Sequence, residues 1–133
     1  MHSMIQKRFL YSIFALSLLG TALAEKGSRF KVTNLVSDLP GLAPITDPNL
    51  VNPWGVALNP AGGAMWVSNT GTGTSTLYTG DINGSAVVKV ALTVTIPGGL
   101  PTGQVFNGGS DFKVTNGTAT QPARFIFGSL SGN

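Results

Sequence analysis

The sequence predicts an all-β protein, and three observations carry that prediction. Glycine and proline are dense after residue 24, β-branched residues fill the runs between them, and short blocks recur at a fixed spacing. All eight prolines and 17 of the 18 glycines follow residue 24. Both residues punctuate helices, so little room is left for one. Two longer windows escape this punctuation. Ser85–Ile96 (SAVVKVALTVTI) is dominated by Val, Thr and Ile, whose branching at Cβ suits a pleated surface. In Ser28–Leu39 (SRFKVTNLVSDL), Val32, Leu35, Val36 and Leu39 also trace a helical face, and the strand reading rests on β-branching alone.

Ahead of this region stands an export signal. Lys7 and Arg8 precede an apolar run from Phe9 to Leu19, Gly20 and Thr21 interrupt it, and Ala22-Leu23-Ala24 supplies the small–x–small pattern beside a cleavage site. The run is about half the ~20 apolar residues a membrane-spanning helix needs. Residues 1–24 are therefore expected to be a signal peptide cut after Ala24, with Ala22 and Ala24 as the cleavage residues. The remainder is then secreted, to the periplasm or the exterior, and keeps no membrane span.

Removing the signal changes what composition says. Of 133 residues 109 remain, and Lys7, Arg8 and the single histidine, His2, are gone. Six basic residues then face five acidic ones, so a formal charge of +3 falls to +1. Apart from Lys26, Arg29 and Lys31 the basic residues are scattered, whereas a nucleic-acid footprint needs a clustered stripe. No nucleic-acid partner is expected. There is no cysteine. Without His or Cys, the exported part offers no Ser-His-Asp triad, no Cys nucleophile, no His or Cys metal ligand and no disulfide. Asp81–Ser85 lacks the oxygen spacing and distal glutamate of a calcium loop and reads as a hairpin turn. Thr70–Thr76 has no lysine and no following helix, so it is no phosphate cradle. Asn83-Gly-Ser and Asn116-Gly-Thr match glycosylation sequons.

The repeats set the architecture. Asn52–Asn59 (NPWGVALN) aligns with Leu100–Asn107 (LPTGQVFN), placing Pro53, Gly55 and Asn59 48 residues before Pro101, Gly103 and Asn107. Val67-Ser68-Asn69 aligns with Val114-Thr115-Asn116, and Leu77–Gly80 with Phe125–Gly128, at nearly the same interval. In the first repeat Gly55–Leu58, Met65–Asn69, Thr76–Thr79 and Ser85–Ile96 read as strands, separated by Asn59–Gly63, Thr70–Ser75 and Asp81–Gly84 as turns. Four strands in about 48 residues is the size of a β-propeller blade. The predicted organisation is a signal peptide (1–24), an N-terminal strand and loop (25–51), a first blade (52–99) and an incomplete second blade (100–133). A sandwich or barrel shares the short-strand spacing and is the rival fold.

Three stretches, Phe30–Pro40 (FKVTNLVSDLP), Asp47–Ala57 (DPNLVNPWGVA) and Trp66–Thr70 (WVSNT), resemble the start of an uncharacterised family of exported bacterial proteins. Its members are similar to NHL and gluconolactonase-type β-propellers, and some end in a PEP-CTERM sorting tail. The resemblance covers residues 30 to about 128. It implies a propeller several blades longer than this chain and no particular activity. The chain departs from the family by ending after Gly128–Asn133, before any counterpart of Ser85–Ile96. The expectation is an N-terminal fragment, with completion by self-assembly into a closed ring as the rival. Within the propeller frame, Arg29–Val36 is expected to be a strand that closes the ring.

In a propeller the loops before the innermost strand and between the second and third strands share one face. Here these are Thr46–Trp54 with Thr70–Ser75, and Gly98–Thr102 with Gly117–Gln121. Asp47, Asn49 and Asn52 supply oxygens for a cation or a sugar hydroxyl, and Trp54 an indole that could stack on a ligand. Hard cations take about six to eight oxygens, so one loop does not suffice. Asn and Asp also form ordinary turns, and Trp54 could instead pack between blades, while Trp66 reads as core. No catalytic residue and no metal site are assigned, and no cofactor is expected for this chain, although a full-length propeller could hold Ca²⁺. Three readings follow: a non-catalytic envelope or extracellular module binding an unidentified protein or carbohydrate, a fragment of a metal-dependent hydrolase or lactonase with its site in the central channel, and a purely structural surface component.

Overall fold

The Val, Thr and Ile runs, cut by Gly, Asn and Pro, form β-strands throughout the computed structural model, which describes residues 30–132. The signal segment, with Ala22 and Ala24, lies outside the described residues. The chain divides into two compact units, residues 1–32 and 33–133. Of the first, Phe30–Val32 are described and form neither helix nor strand. The second is all-β, with ten strands and no helix among the described residues.

Of the predicted strand at 29–36, residues 30–35 carry no strand. The chain pairs only from Val36: β1 (Val36–Ser37) runs parallel to β2 (Ile45–Thr46). Then β3 (Pro53–Leu58), β4 (Met65–Asn69), β5 (Thr74–Thr79) and β6 (Val88–Thr95) form one antiparallel sheet in sequential order. Turn chemistry fixes each reversal. Asn59 Oδ1 accepts the Ala61 N–H at 2.9 Å and Asn59 O accepts the Gly62 N–H at 2.9 Å, after which Gly62 and Gly63 take positive φ. Gly80 turns the chain out of β5 at φ 96°, and a Cβ there would collide with the Ala86 carbonyl.

Side chains alternate across this sheet, giving it two faces. Gly55, Ala57, Trp66 and Ser68 lie on one, the Trp66 face; Val56, Leu58, Met65 and Val67 lie on the other, the Met65 face.

The second repeat departs from the predicted one. β7 (Pro101–Phe106) pairs antiparallel with β10 (Phe125–Ser129), while β8 (Lys113–Thr115) and β9 (Thr120–Pro122) form a hairpin of their own. Phe125–Gly128 is thus not the counterpart of the third strand, nor Val114–Asn116 that of the second. Register assigns β10 to the place of β4: Pro101 pairs with Ser129 as Pro53 pairs with Asn69, and Phe106 with Phe125 as Leu58 with Met65. First strands lie 48 residues apart and second strands 60. Asn107 is the reason. Its N–H donates to Arg124 O at 2.8 Å, and its Nδ2 donates to Asp111 O and Ala123 O at 3.0 Å each. This neck lets the intervening hairpin leave the sheet without disturbing the pairing of β7 and β10.

Both repeats begin alike in detail. Asn52 and Leu100, each preceding proline, sit in the left-handed region at φ 50° and 49°. Asn52 O accepts the Thr70 N–H at 3.2 Å, and Leu100 O accepts the Leu130 N–H at 3.1 Å. A bulge follows in each: Pro53 and Gly55 face Asn69 and Ser68, and the register of β7 slips against β10 between Phe127 and Ser129. Asn tolerates a left-handed backbone, whereas leucine pays about 1–2 kcal/mol for it. Leu100→Asn is therefore expected to stabilise the fold by about 0.5–1 kcal/mol, raising the melting temperature by about 4 °C. Leu100 is 46% exposed, so little burial is lost. A melting temperature at or below that of the parent would show that Leu100 is unstrained.

The β7–β10 sheet packs on the Trp66 face of the first. Trp66 stacks on Phe125 with centroids 4.1 Å apart, and Phe106 meets Phe125 edge-on at 5.4 Å. Gln104 Nε2 donates to Gly55 O at 2.9 Å and to Trp66 O at 2.8 Å, and Thr70 Oγ1 donates to Pro101 O at 2.6 Å. Trp66, expected as core, is the side chain that joins the two repeats.

Candidate functional site

The loop before β3 and the β4–β5 loop meet at one end of the first sheet. Thr72 Oγ1 donates to Asn49 O at 2.8 Å, and the Gly71 N–H to Val51 O at 3.0 Å. Beneath them runs a ladder that the sequence did not single out. Thr72 Oγ1 lies 2.9 Å from Thr74 Oγ1, and the fully buried Asn69 donates from Nδ2 to Thr74 at 3.3 Å and to Thr76 at 2.9 Å. These short polar links hold the loop on the strand ends. In the second repeat the matching loop pair is not 98–102 with 117–121. Gly99 O accepts Ser129 Oγ at 2.5 Å, because β10 occupies the second-strand position, while Asn116–Ala119 turns the tip of the separate hairpin.

The four residues expected to bind a ligand divide into two roles. Asp47 points inward and is 0% exposed. Its Oδ2 accepts Tyr78 OH at 2.6 Å; its Oδ1 accepts Lys89 Nζ at 2.6 Å and the Asn49 N–H at 3.0 Å. Both carboxylate oxygens are engaged, so Asp47 pins the loop to β5 and β6 and does not offer an oxygen to a ligand at the loop end. Burial alone raises the Asp47 pKa, but the hydrogen bonds from Lys89, Tyr78 and the Asn49 N–H outweigh it, and the carboxyl lies below its ordinary value. Tyr78 moves the other way: burial first, then its hydrogen bond to the Asp47 carboxylate, push the phenol well above its usual range. Asn49 is half-buried and serves the loop through its backbone carbonyl.

Asn52 and Trp54 point outward. Trp54 is the extra residue of the β3 bulge, a device that re-aims a side chain, and it is 62% exposed. Its indole N–H donates to Asn52 Oδ1 at 3.1 Å, which fixes the ring edge-on and leaves the Asn52 NH₂ free to donate elsewhere. Packing of Trp54 between repeats, the other expectation, is not what the structure shows. Away from this end, a groove of about 610 Å³ opens on the Met65 face, lined by Leu35, Leu50, Leu58, Met65, Tyr78 and Ile82 among others. No group of three or more His, Cys, Asp or Glu residues is placed to hold a metal ion among the described residues. No helix among them is long and apolar enough to cross a membrane.

Fold and site together define an all-β protein of stacked repeats with an aromatic–amide pair presented at one loop end. In sequence the chain is 35% identical, over 106 residues, to an uncharacterised protein of Acanthamoeba polyphaga mimivirus. The match takes in 77% of this chain and 25% of that protein, so the chain spans about a quarter of the length of the curated relative it matches. No family model matches it, and no solved structure does.

Proposed function

We propose that the chain is the opening of a β-propeller, with residues 52–99 as its first blade, and that it serves as an exported, non-catalytic binding module for carbohydrate. The four-stranded meander, the shared αL-Pro-bulge start of both repeats and the face-to-face packing of their sheets support the propeller reading. One observation carries the binding reading: the β3 bulge turns Trp54 outward while Asn52 holds its indole edge. An indole face offers apolar area to the C–H surface of a sugar ring at low entropic cost, and a neighbouring amide donor reaches a hydroxyl. The metal-dependent hydrolase reading is weakened, since Asp47, the one acidic ligand it could draw from this loop, is fully engaged.

Screening the exported chain against immobilised glycans tests the proposal. Trp54→Ala is expected to weaken binding to any glycan recognised by about tenfold or more, the effect of losing an aromatic anchor. Its melting temperature should stay within about 1 °C of the parent, because little Trp54 surface is buried. Undiminished binding by the variant would remove Trp54 from the site, and an empty screen would defeat the carbohydrate reading.

A further inference from the structure

The contact between the two repeats is made by unlike faces. Phe106, Phe125 and Gln104 of the second repeat occupy the places of Leu58, Met65 and Val56, so its equivalent of the Met65 face lies on the Trp66 face of the first. Such a contact is heterologous, and it leaves one copy of each face uncovered. On the first repeat the Met65 face is open: Val56 is 57% exposed, Leu58 54% and Met65 40%. On the second repeat Val105 and Ile126 pair with each other and, by alternation from Phe125 and Phe127, point away from Trp66; Val105 is 55% exposed.

The glycines mark the same pattern independently. At Gly55 the backbone of β7 comes so close that a Cβ would overlap the Thr102 carbonyl and lie 3.2 Å from Gly103 Cα. Gly103 holds the corresponding place in β7, and nothing lies within 4 Å of where its Cβ would be. A glycine inside a strand is unfavourable unless another backbone needs the space. Gly103 therefore has the form of a landing strip for a strand that this chain does not itself supply.

We infer that a second copy of this chain docks there head to tail, setting its Met65 face on Gly103, Val105 and Ile126 as the second repeat sets its own face on Gly55, Ala57 and Trp66. The occupant is named by the molecule itself, which already contains this interface once. Val56 replaces Gln104 in the intermolecular version, so that contact is apolar where the internal one carries two hydrogen bonds. The groove of about 610 Å³ on the Met65 face has room for the Val105 and Ile126 side chains.

Sedimentation of the exported chain from micromolar to millimolar concentration tests this with two variants, each blocking one face. Gly103→Val fills the open strip and Met65→Lys charges the opposite face; both sites are accessible in the single chain, so circular dichroism and melting should report an intact fold. The parent is expected to self-associate with rising concentration, and each variant alone to remain a monomer. Mixed, the two should form a one-to-one dimer, because each keeps the face that the other has lost. A parent that stays monomeric overturns the inference and leaves both faces to further repeats of a longer polypeptide. Variants that still associate singly, or fail to pair when mixed, overturn the head-to-tail arrangement.

Discussion

Asp47→Ala is expected to cost about 3 kcal/mol of stability, a fall of about 15 °C in melting temperature. The substitution removes a carboxylate that is 0% exposed and leaves the Tyr78 hydroxyl, on a residue 6% exposed, without its acceptor. Lys89 recovers part of its loss by reaching water, since its side chain is 29% exposed, which keeps the cost at the low end for a broken buried pair. Sign and pH window follow from the shifts. The Asp47 pKa in the folded chain is lowered, so its contribution is present above the ordinary aspartate range near 4 and is lost as pH falls through the folded value. The Tyr78 pKa is raised, so its contribution is present below about 10 and is lost as pH climbs beyond that. Urea midpoints measured from pH 2 to 11 should fall at both ends in the parent, with the acid limb flattened in Asp47→Ala. An unflattened acid limb would place the titrating group elsewhere.

Gly55→Val should be comparably damaging, at about 3 kcal/mol, for a steric reason. The new Cβ has no path around the Thr102 carbonyl, because that obstacle is backbone held by β7 and cannot rotate away. Relief requires the second sheet to lift from the first, which undoes the stacking of Trp66 on Phe125 and the two Gln104 hydrogen bonds. The near-ultraviolet dichroism of the indole should therefore collapse more than the far-ultraviolet strand signal. Gly103→Val is the internal control: the same substitution at the matching place, with open space over it, should leave both signals in place. Equal damage by both would mean that strand propensity, and not the approach of β7, decides the outcome.

The first sheet was legible because its signals are local. Asn59, Gly62 and Gly63 turn the chain within a few residues, and the branched run ending at Ile96 has few other ways to lie. The start of each repeat was legible for the same reason, since Asn52-Pro53 and Leu100-Pro101 impose one backbone shape. Pairing is different. Val114-Thr115-Asn116 looks like Val67-Ser68-Asn69 in composition, but the partner of β7 is chosen by register across an excursion of the chain, which short blocks do not encode. The site divided along the same line. Trp54 and Asn52 are two residues apart and could be read together. The partners of Asp47 lie 31 and 42 residues away, so an acid next to proline passed for a ligand when it is an anchor. Lys89, a lone cation in a β-branched strand, was the trace of that ion pair in the sequence.

Asn59 and Asn107 end corresponding strands, yet one closes a tight turn over residues 60–64 and the other a hairpin over 108–124. Length at that corner is thus invisible to the sheet. A lineage can lengthen, shorten or rewrite the peptide there without retuning a single strand pair, and an engineer can do the same. Sequence drift should collect at this end, while the opposite end, where Trp54 sits and backbone hydrogen bonds tie the loops together, has no such latitude.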